Sequence, residues 1–523
     1  MKDKILVVDI GTQSLRASIL NKQGEILAFS KQIYEPSYYS PKKGFAEQDA
    51  DFYMDELCKA TNEIYNKDNN ALKDIDGMVT VSFRDSSVIL DENKKPIRKA
   101  ILWLDQRVTP MYHNENLKWY ERILFKLIGM MDTCRYNSER TPSFWLKKYE
   151  SDNWKKMKYY VPLGAYFNYR VTNNLVISSA DCIGHYPINF KKGTLYGPKH
   201  PKINVFGIPL TALPKIVPVS SIIGTVSEEF SKLSKIPVDT KVIASGSDKA
   251  CETFGNGCID ESSASLSLGT ACTIDVVSNK YSEPEKFLPS YQAPYPKSYD
   301  LELQVYRGFW MVTWFLKQFG YEDEIIAKEN NINVLDYLSD KISTIAPGCD
   351  GLILQPYWGP GLKRPHGRGS IIGFTATHTR YHLYRAMIEG IAFSLREGLD
   401  EIVRKTHKKP KELVISGGGS SSKVICQIFA DVFNIPVIIS KNKESSTLGA
   451  AMAGFLSLHS FKNVHDAKET MVSNGIKLVP NKNNAIIYDR LYKRNYKKLY
   501  PCLKNEYFEL KKFFLDYEMK KFK

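Results

Sequence analysis

Two segments, ILVVDIGTQSLRASIL (Ile5–Leu20) and SASLSLGTACTIDVV (Ser263–Val277), share one design. Each is an apolar, β-branched run that reaches Gly-Thr and returns as a second run of alternating character. That is a β-hairpin signal whose turn carries glycine and hydroxyls instead of Asn-Gly. Gly11 and Gly269 let backbone approach a ligand closely, and Thr12, Ser14 and Thr270 bring hydroxyls and N–H groups to the same bends. Two such bends facing each other across a cleft would grip a polyphosphate from both sides. The pattern predicts a duplicated phosphate-binding device and therefore a nucleotide.

Working outward, 523 residues exceed what one core organises, so two domains and a tail are expected: 1–248, 249–460 and 461–523. Strand-like and helix-like patterns alternate, which argues an α/β fold. A helical stretch near Asp49–Tyr65 precedes the strand IDGMVTVSF, and aromatic, lysine-rich helices and loops fill Trp119–Asn173. The strand VIASGSD closes the first domain at Asp248. The second holds a Gly/Pro-rich loop, Pro347–Gly369, then the helix HLYRAMIEGIAFSLREGLDEIV, the strand ELVISGGG and the small-residue helix ESSTLGAAMAGFL. Hairpin-plus-helix units in both halves suggest related domains with ligands in the crevice between them. Beyond about Ser460 the chain reads as a basic amphipathic appendage without chemistry of its own.

Composition excludes several classes. Hydrophobic content is 43%, ordinary for a soluble globular protein. The start MKDKILVVDIG has lysines before an apolar run, but Asp9 interrupts it and no small-residue cleavage site follows. No apolar stretch has the ~18 residues of a membrane span. Nine cysteines are scattered without a C-x-x-C pair, so neither a disulfide framework nor a zinc site is indicated, and a cytoplasmic location fits. The net charge of +15 is spread as lysine among Asn, Ile and Tyr, with KRNYKK and MKKFK concentrating it in the tail. Such dispersion reads as a solvated surface rather than a nucleic-acid site, and it attracts anionic ATP only mildly.

Individual motifs carry the chemistry. GGGSSSK (Gly417–Lys423) resembles a P-loop but has Ser422 before the lysine and Val424 where a magnesium-binding hydroxyl belongs. Gly417, Gly418 and Gly419 follow a strand and precede a helix, so their backbone can lie against a ring or phosphate, or simply form a tight turn. Asp248 ends a strand, where a carboxylate points into the crevice and can accept the proton of an attacking hydroxyl; it serves equally as a helix N-cap. Asp9, inside an apolar strand, is costly unless compensated, and the hydrated Mg²⁺ of ATP would compensate it; a backbone-capping role is the other reading. Arg84 and Asp85 could bracket vicinal hydroxyls while Trp103 stacks on the carbon face of a small polyol, or they form a surface ion pair.

Taken together, these residues resemble the FGGY carbohydrate kinases, over roughly Lys4–Leu458. VVDIGTQSLR is similar to the first phosphate motif of that family, and KGFAEQDADFY to its G-W-x-E-Q-D-x-x-x-W segment, with Phe45 and Tyr53 in place of tryptophans. ILWLDQR resembles W-x-D-x-R, and GSDKACETFGNG resembles the segment bearing the catalytic aspartate. SLGTA matches the second phosphate motif. GLILQPYWGPGLKRPHGRGSIIGF with HLYRAMIEG is similar to the C-terminal signature, GGGSSSKVICQIFADVFNIPV to the adenosine motif and ESSTLGAAMAG to the closing helix.

The resemblance implies two actin/hexokinase-like (ribonuclease H-like) domains closing over ATP, Mg²⁺ and a small sugar or polyol. It places the general base on Asp248, ATP contacts on Gly11, Thr12, Gln13, Ser14, Arg16, Gly269, Thr270, Gly417, Gly418, Gly419 and Ser422, acceptor contacts on Arg84, Asp85, Trp103 and Asp248, and metal contacts on Asp9 and Asp248. A homodimer is left open. Pro142 stands where the N-terminal signature has a lysine. S-F-R-D at Ser82–Asp85 looks closer to the glycerol kinases, whereas SLGTAC and GSDKA look closer to the xylulokinases, so a polyol and a ketose both remain as acceptors. From another class, an actin- or chaperone-like ATP-dependent switch needs no sugar, but it also needs no Arg84–Asp85–Trp103 pocket. A basic nucleic-acid binder would need clustered cations with interleaved aromatics, which only the tail approaches.

Overall fold

The computed structural model describes residues 3–521 except 112, 286, 360, 362 and 474, with side chains described as far as Phe514. Pro360 and Leu362 of the C-terminal signature, and the side chains of MKKFK, lie outside the described residues.

Two mixed sheets organise the chain, one in each half. The first is built from β1 (Lys4–Ile10), β2 (Ser14–Asn21), β3 (Ile26–Ile33), β4 (Ile75–Ser82), β5 (Ile222–Thr225) and β6 (Lys241–Ile243), in the order β5-β6-β4-β1-β2-β3. The second is built from β7 (Ser263–Leu268), β8 (Cys272–Ser278), β9 (Tyr291–Gln292), β10 (Tyr299–Val305), β11 (Glu412–Ser416), β12 (Val437–Ile439) and β13 (Ile476–Leu478), in the order β9-β10-β8-β7-β11-β12-β13. β1, β2 and β3 form an antiparallel meander, as do β7, β8 and β10. β4 and β6 extend the first sheet in parallel, and β11 and β12 extend the second in the same way. Each sheet then takes an antiparallel strand, β5 or β13. The duplication signalled by two hairpins in the sequence extends to the meander and its two parallel strands; β9 has no counterpart in the first sheet, and β5 precedes its partner β6 in the chain whereas β13 follows β12. β1 and β4 read as continuous apolar runs because packed elements cover both of their faces.

Two helices join the sheets. α1 (Asp248–Gly255) and α2 (Ser445–Ser457) cross at backbone contact. A Cβ on Gly255 would stand 1.9 Å from the Ser445 carbonyl oxygen, and one on Gly449 1.8 Å from that of Cys251. Leu448, Ala451, Met452 and Phe455 of α2 share an apolar cluster with Ile5, Val7, Val79 and Val81 of the first sheet and with Cys251 and Phe254 of α1. A helix late in the chain therefore packs against the first domain, and burial of its Leu, Met and Phe side chains contributes about 1.5–3 kcal/mol each.

A small four-stranded sheet (Glu47–Gln48, Ala100–Ile101, Ser87–Leu90, Tyr159–Pro162) elaborates the first domain and carries the chain into Trp103. Much of the stretch beyond Ser460, read from the sequence as a basic amphipathic appendage, is packed against the body of the protein, Ala467 and Met471 in the cluster beside the first sheet. β13 pairs with β12, and Tyr488, Tyr492 and Tyr496 are buried in the second core against Phe393. Their phenol rings recur every four residues along one helical face, which apolar counting underrates because tyrosine is only half apolar.

Candidate active site

Both Gly-Thr bends open into one cavity of about 820 Å³ between the sheets. Thr12 comes from the first bend and Gly269 and Thr270 from the second; Arg84, Asp85, Trp103 and Asp248 line the same space. The first bend is closed by Gly11 N–H donating to the Ser14 carbonyl (3.0 Å), so Thr12 and Gln13 project at its tip. Gln13 is exposed, whereas Ser14 is buried at the start of β2. Trp103 Nε1–H donates to Thr12 Oγ1 (3.0 Å), and the Trp103 N–H donates to Ser86 Oγ (3.0 Å), so the indole is tied to the bend. In the second bend the Gly269 and Thr270 carbonyls accept from the N–H groups of Phe309 and Trp310, and both residues line the cavity.

Asp248 opens α1. The hydroxyl of Ser247 caps the helix by accepting from Ala250 N–H, so the Asp248 carboxylate is not spent as the N-cap. Its Oδ1 accepts from Lys249 N–H (2.9 Å) and lies 3.7 Å from Arg84 Nε, and about a third of the side chain stays open. Burial raises its pKa, while Arg84 and Lys249 oppose that rise. Lys249 is itself held by Glu252 (2.7 Å) and Ser267 Oγ (2.7 Å).

Sequence reasoning missed two residues that pair with Arg84 and Asp85. Glu302, on β10, accepts both Nη1–H (2.8 Å) and Nη2–H (2.9 Å) of Arg84 in a two-pronged pair across the cleft. Burial works against the Arg84 charge, but Glu302 and Asp248 together hold its pKa above the usual value. His185 pairs with Asp85: its Nδ1 is 2.8–2.9 Å from both carboxylate oxygens, and its backbone N–H donates to Oδ1 (2.9 Å). Alternation in YDLELQV was the available signal for Glu302, since Asp300, Glu302 and Gln304 share one face of the strand. His185 sits in an irregular loop that offers none.

Asp9 is buried on β1 with Arg16 Nη1 3.6 Å away, and Arg16 Nε is 3.3 Å from Glu444. Burial pushes Asp9 up to about 7; Arg16 opposes this, and Asp248, Glu444 and Glu252 add to it. The locality is short of positive charge, which suits the metal of a metal–nucleotide. Among the described residues, no group of three or more His, Cys, Asp and Glu could hold a metal unaided. A magnesium ion there would have to draw most of its oxygens from phosphate and water, as this small cation commonly does.

Gly417–Gly419 lie beside the end of β7 rather than along the cavity wall. Gly417 has φ 85°, and a Cβ there would meet the Leu268 backbone at 2.9 Å; a Cβ on Gly419 would meet the Phe309 ring at 2.4 Å. At Gly418 nothing lies within 4 Å, so this is the member with room for a ligand. The Ser422 hydroxyl caps the following helix through Ile425 N–H and accepts from Ser339 Oγ (2.8 Å), a local structural use.

The whole arrangement has counterparts. The chain is 26% identical to the xylulose kinase of Lactococcus lactis subsp. lactis over 495 residues, 93% of this chain and 95% of that one. It is 24% identical to the gluconokinase of Bacillus subtilis over 496 residues, 94% of each. The crystal structure of a ligand-bound xylulose kinase from Lactobacillus acidophilus superposes with a TM-score of 0.81 at 22% identity, covering 97% of this chain and 99% of that one. Residues 4–255 match the N-terminal domain and residues 264–458 the C-terminal domain of one family. The chain belongs to the FGGY family of carbohydrate kinases, phosphotransferases acting on a sugar hydroxyl.

Proposed function

We propose that this kinase transfers the γ-phosphate of ATP to a hydroxyl of a small, uncharged sugar or polyol, with Asp248 as general base. The observation that carries the reading is the convergence of Thr12, Thr270 and Asp248 on one cleft between duplicated domains. The acceptor hydroxyl gives its proton to the Asp248 carboxylate as its oxygen bonds to the γ-phosphorus. The bond from that phosphorus to the bridging oxygen breaks, and ADP leaves. Thr12 and Thr270 orient the phosphates from opposite lobes, and Trp103, fixed by Thr12, supplies a face for the carbon chain. Asp9, with Asp248, is the candidate for holding a magnesium–nucleotide, whose metal supplies charge neutralisation when bound. The cations beside the base are already paired, Arg84 with Glu302 and Lys249 with Glu252, which favours a neutral acceptor over gluconate. The relative named for xylulose supports a ketose.

An ADP-release screen over ketopentoses, ketohexoses, pentitols, tetritols, glycerol and gluconate tests the substrate class. A neutral ketose or polyol should be preferred, and strict preference for gluconate would overturn that part. Asp248→Asn should lower kcat by at least about 10²–10⁴-fold with ATP affinity retained. Near-normal turnover in that variant removes the base assignment. Chelating magnesium should abolish transfer, and full activity in excess chelator would refute the metal's part.

A further inference from the structure

We infer that His185, set in place by Asp85, is a specificity residue whose Nε2 meets an acceptor hydroxyl other than the one that receives the phosphate. The inference deepens the proposed function and rests on a sugar or polyol entering this cleft. Asp85 sits at φ 56°, in the left-handed region that side-chain-bearing residues seldom adopt, and its N–H donates to the Ile183 carbonyl (3.1 Å). The carboxylate then lies over the backbone of Gly184, which has φ 125° and where a Cβ would stand 2.2 Å from Oδ1. Glycine at 184 is therefore a condition of the pairing. Oδ1 accepts from the His185 N–H (2.9 Å), and Nδ1 lies 2.9 and 2.8 Å from Oδ1 and Oδ2. Between two acceptor oxygens Nδ1 must carry a hydrogen, which fixes how the ring is turned. The Phe206 ring meets it edge-on, with centroids 6.4 Å apart. A strained backbone kept in place by several partners is typical of ligand clamps.

The opposite nitrogen is unused. Among the described residues Nε2 has no hydrogen-bond partner, and it is open rather than sealed in protein. The side chain is 19% exposed and lines the cavity beside Asp85, Gly184 and Phe206. A ligand that covers such an atom must bond it, because a polar atom buried without a partner is costly. A hydroxyl both donates and accepts, so it satisfies Nε2 in either protonation state of the ring. Arg84 and Asp85, adjacent in the chain, turn to different partners. Arg84 reaches Glu302 and stands near Asp248, whereas both oxygens of Asp85 are taken by His185. Hydroxyls expected from sequence to sit between Arg84 and Asp85 would thus meet a guanidinium and an imidazole. The acceptor this fits carries hydroxyls on at least two carbons, one that receives the phosphate and one that is read.

The test is a cycle between residue and hydroxyl. kcat/KM is measured for D-xylulose, D-ribulose, xylitol, ribitol and gluconate, then for each monodeoxy form of the best of them, in wild type and in His185→Asn. Asparagine keeps an amide able to bond Asp85 and has no atom in the place of Nε2. In wild type, removing one particular hydroxyl should cost on the order of 10–100-fold. In His185→Asn the intact acceptor should fall by a similar factor, while removing that hydroxyl should cost no more than about twofold. KM for ATP should stay within about twofold of wild type. A role confined to folding would lower all acceptors alike and leave every deoxy penalty unchanged, and that result overturns the inference. If His185→Asn does not fold, His185→Phe, which keeps the ring without its nitrogens, is read in the same way. The proposed function fails separately. Wild type preferring gluconate refutes the neutral acceptor, and the cycle on monodeoxy gluconates still decides His185; wild type that phosphorylates no sugar or polyol overturns both.

Discussion

At the scale of single residues, burial raises the pKa of both Asp9 and Asp248, and neighbouring cations oppose the rise at each. Asp9 is one such case, raised by burial to about 7 against only partial relief from Arg16. Its sign follows directly. A carboxylate near 3.9 in the unfolded chain binds fewer protons there than in the fold between about pH 4 and 7, so folding stability falls as pH rises through that window. Thermal melts of the ligand-free protein should therefore drop from pH 5 to pH 8. Asp9→Asn should flatten that drop and raise the melting temperature at pH 8, while weakening magnesium–ATP binding. An unchanged pH slope in the variant would show that Asp9 does not carry the effect. Asp9, Thr12, Thr270 and Asp248 stood out in the sequence because each breaks a local rule: a charge inside an apolar strand, a Gly-Thr bend, an acid at a strand end. Glu302 broke none. On a strand, Asp300, Glu302 and Gln304 alternating with Leu301, Leu303 and Val305 look like an ordinary solvated face, yet Asp300 and Glu302 are buried, with Arg84 of the other lobe paired to Glu302.

At the scale of elements, the α1–α2 crossing ties the lobes together, and glycine is what allows it. ESSTLGAAMAG read as a tight-packing helix, but which surface it packed on depends on contacts far apart in sequence. It packs on α1 and on β1 and β4 of the first sheet, where a Cβ on Gly454 would lie 2.9 Å from Val79 Cγ2. Gly449→Ala places its methyl inside the Cys251 carbonyl, and no side-chain rotation relieves a backbone clash. The helices must separate, opening a gap in the cluster of Leu448, Met452, Phe254 and Val79. We expect destabilisation of about 2–4 kcal/mol, by overpacking and by the void that follows. Gly418→Ala is the contrasting change, since its Cβ would enter open space. It should leave the melting temperature of the free protein near wild type and raise KM for ATP if adenosine lies against that turn. Differential scanning calorimetry with ATP kinetics on the two variants separates an architectural glycine from a ligand-facing one.

At the scale of the whole molecule, duplicated sheets and shared helices make the chain one structural unit to its final helices. The family match ends at residue 458, yet the core does not end there. Tyr488 Oη donates to Glu389 (2.7 Å) and accepts from Arg385 Nη2 (2.9 Å), and Tyr492 Oη donates to Asp400 (2.7 Å). Arg385 and Glu389 lie buried on the long helix Arg380–Thr406, which packs along β8 and β10 of the second sheet. The tail thus supplies the phenol that completes a buried ion pair, which is costly to leave short of a partner. Tyr488→Phe keeps the ring and removes only that hydroxyl, so it should cost about 1–3 kcal/mol, measured as a lower denaturation midpoint with unchanged slope. Ending the chain before residue 482 removes Tyr488, Tyr492 and Tyr496 and exposes the apolar face beneath them. It should yield insoluble protein, or protein that melts without a cooperative transition. A soluble truncation with wild-type melting and turnover would show that the second domain is complete without its tail.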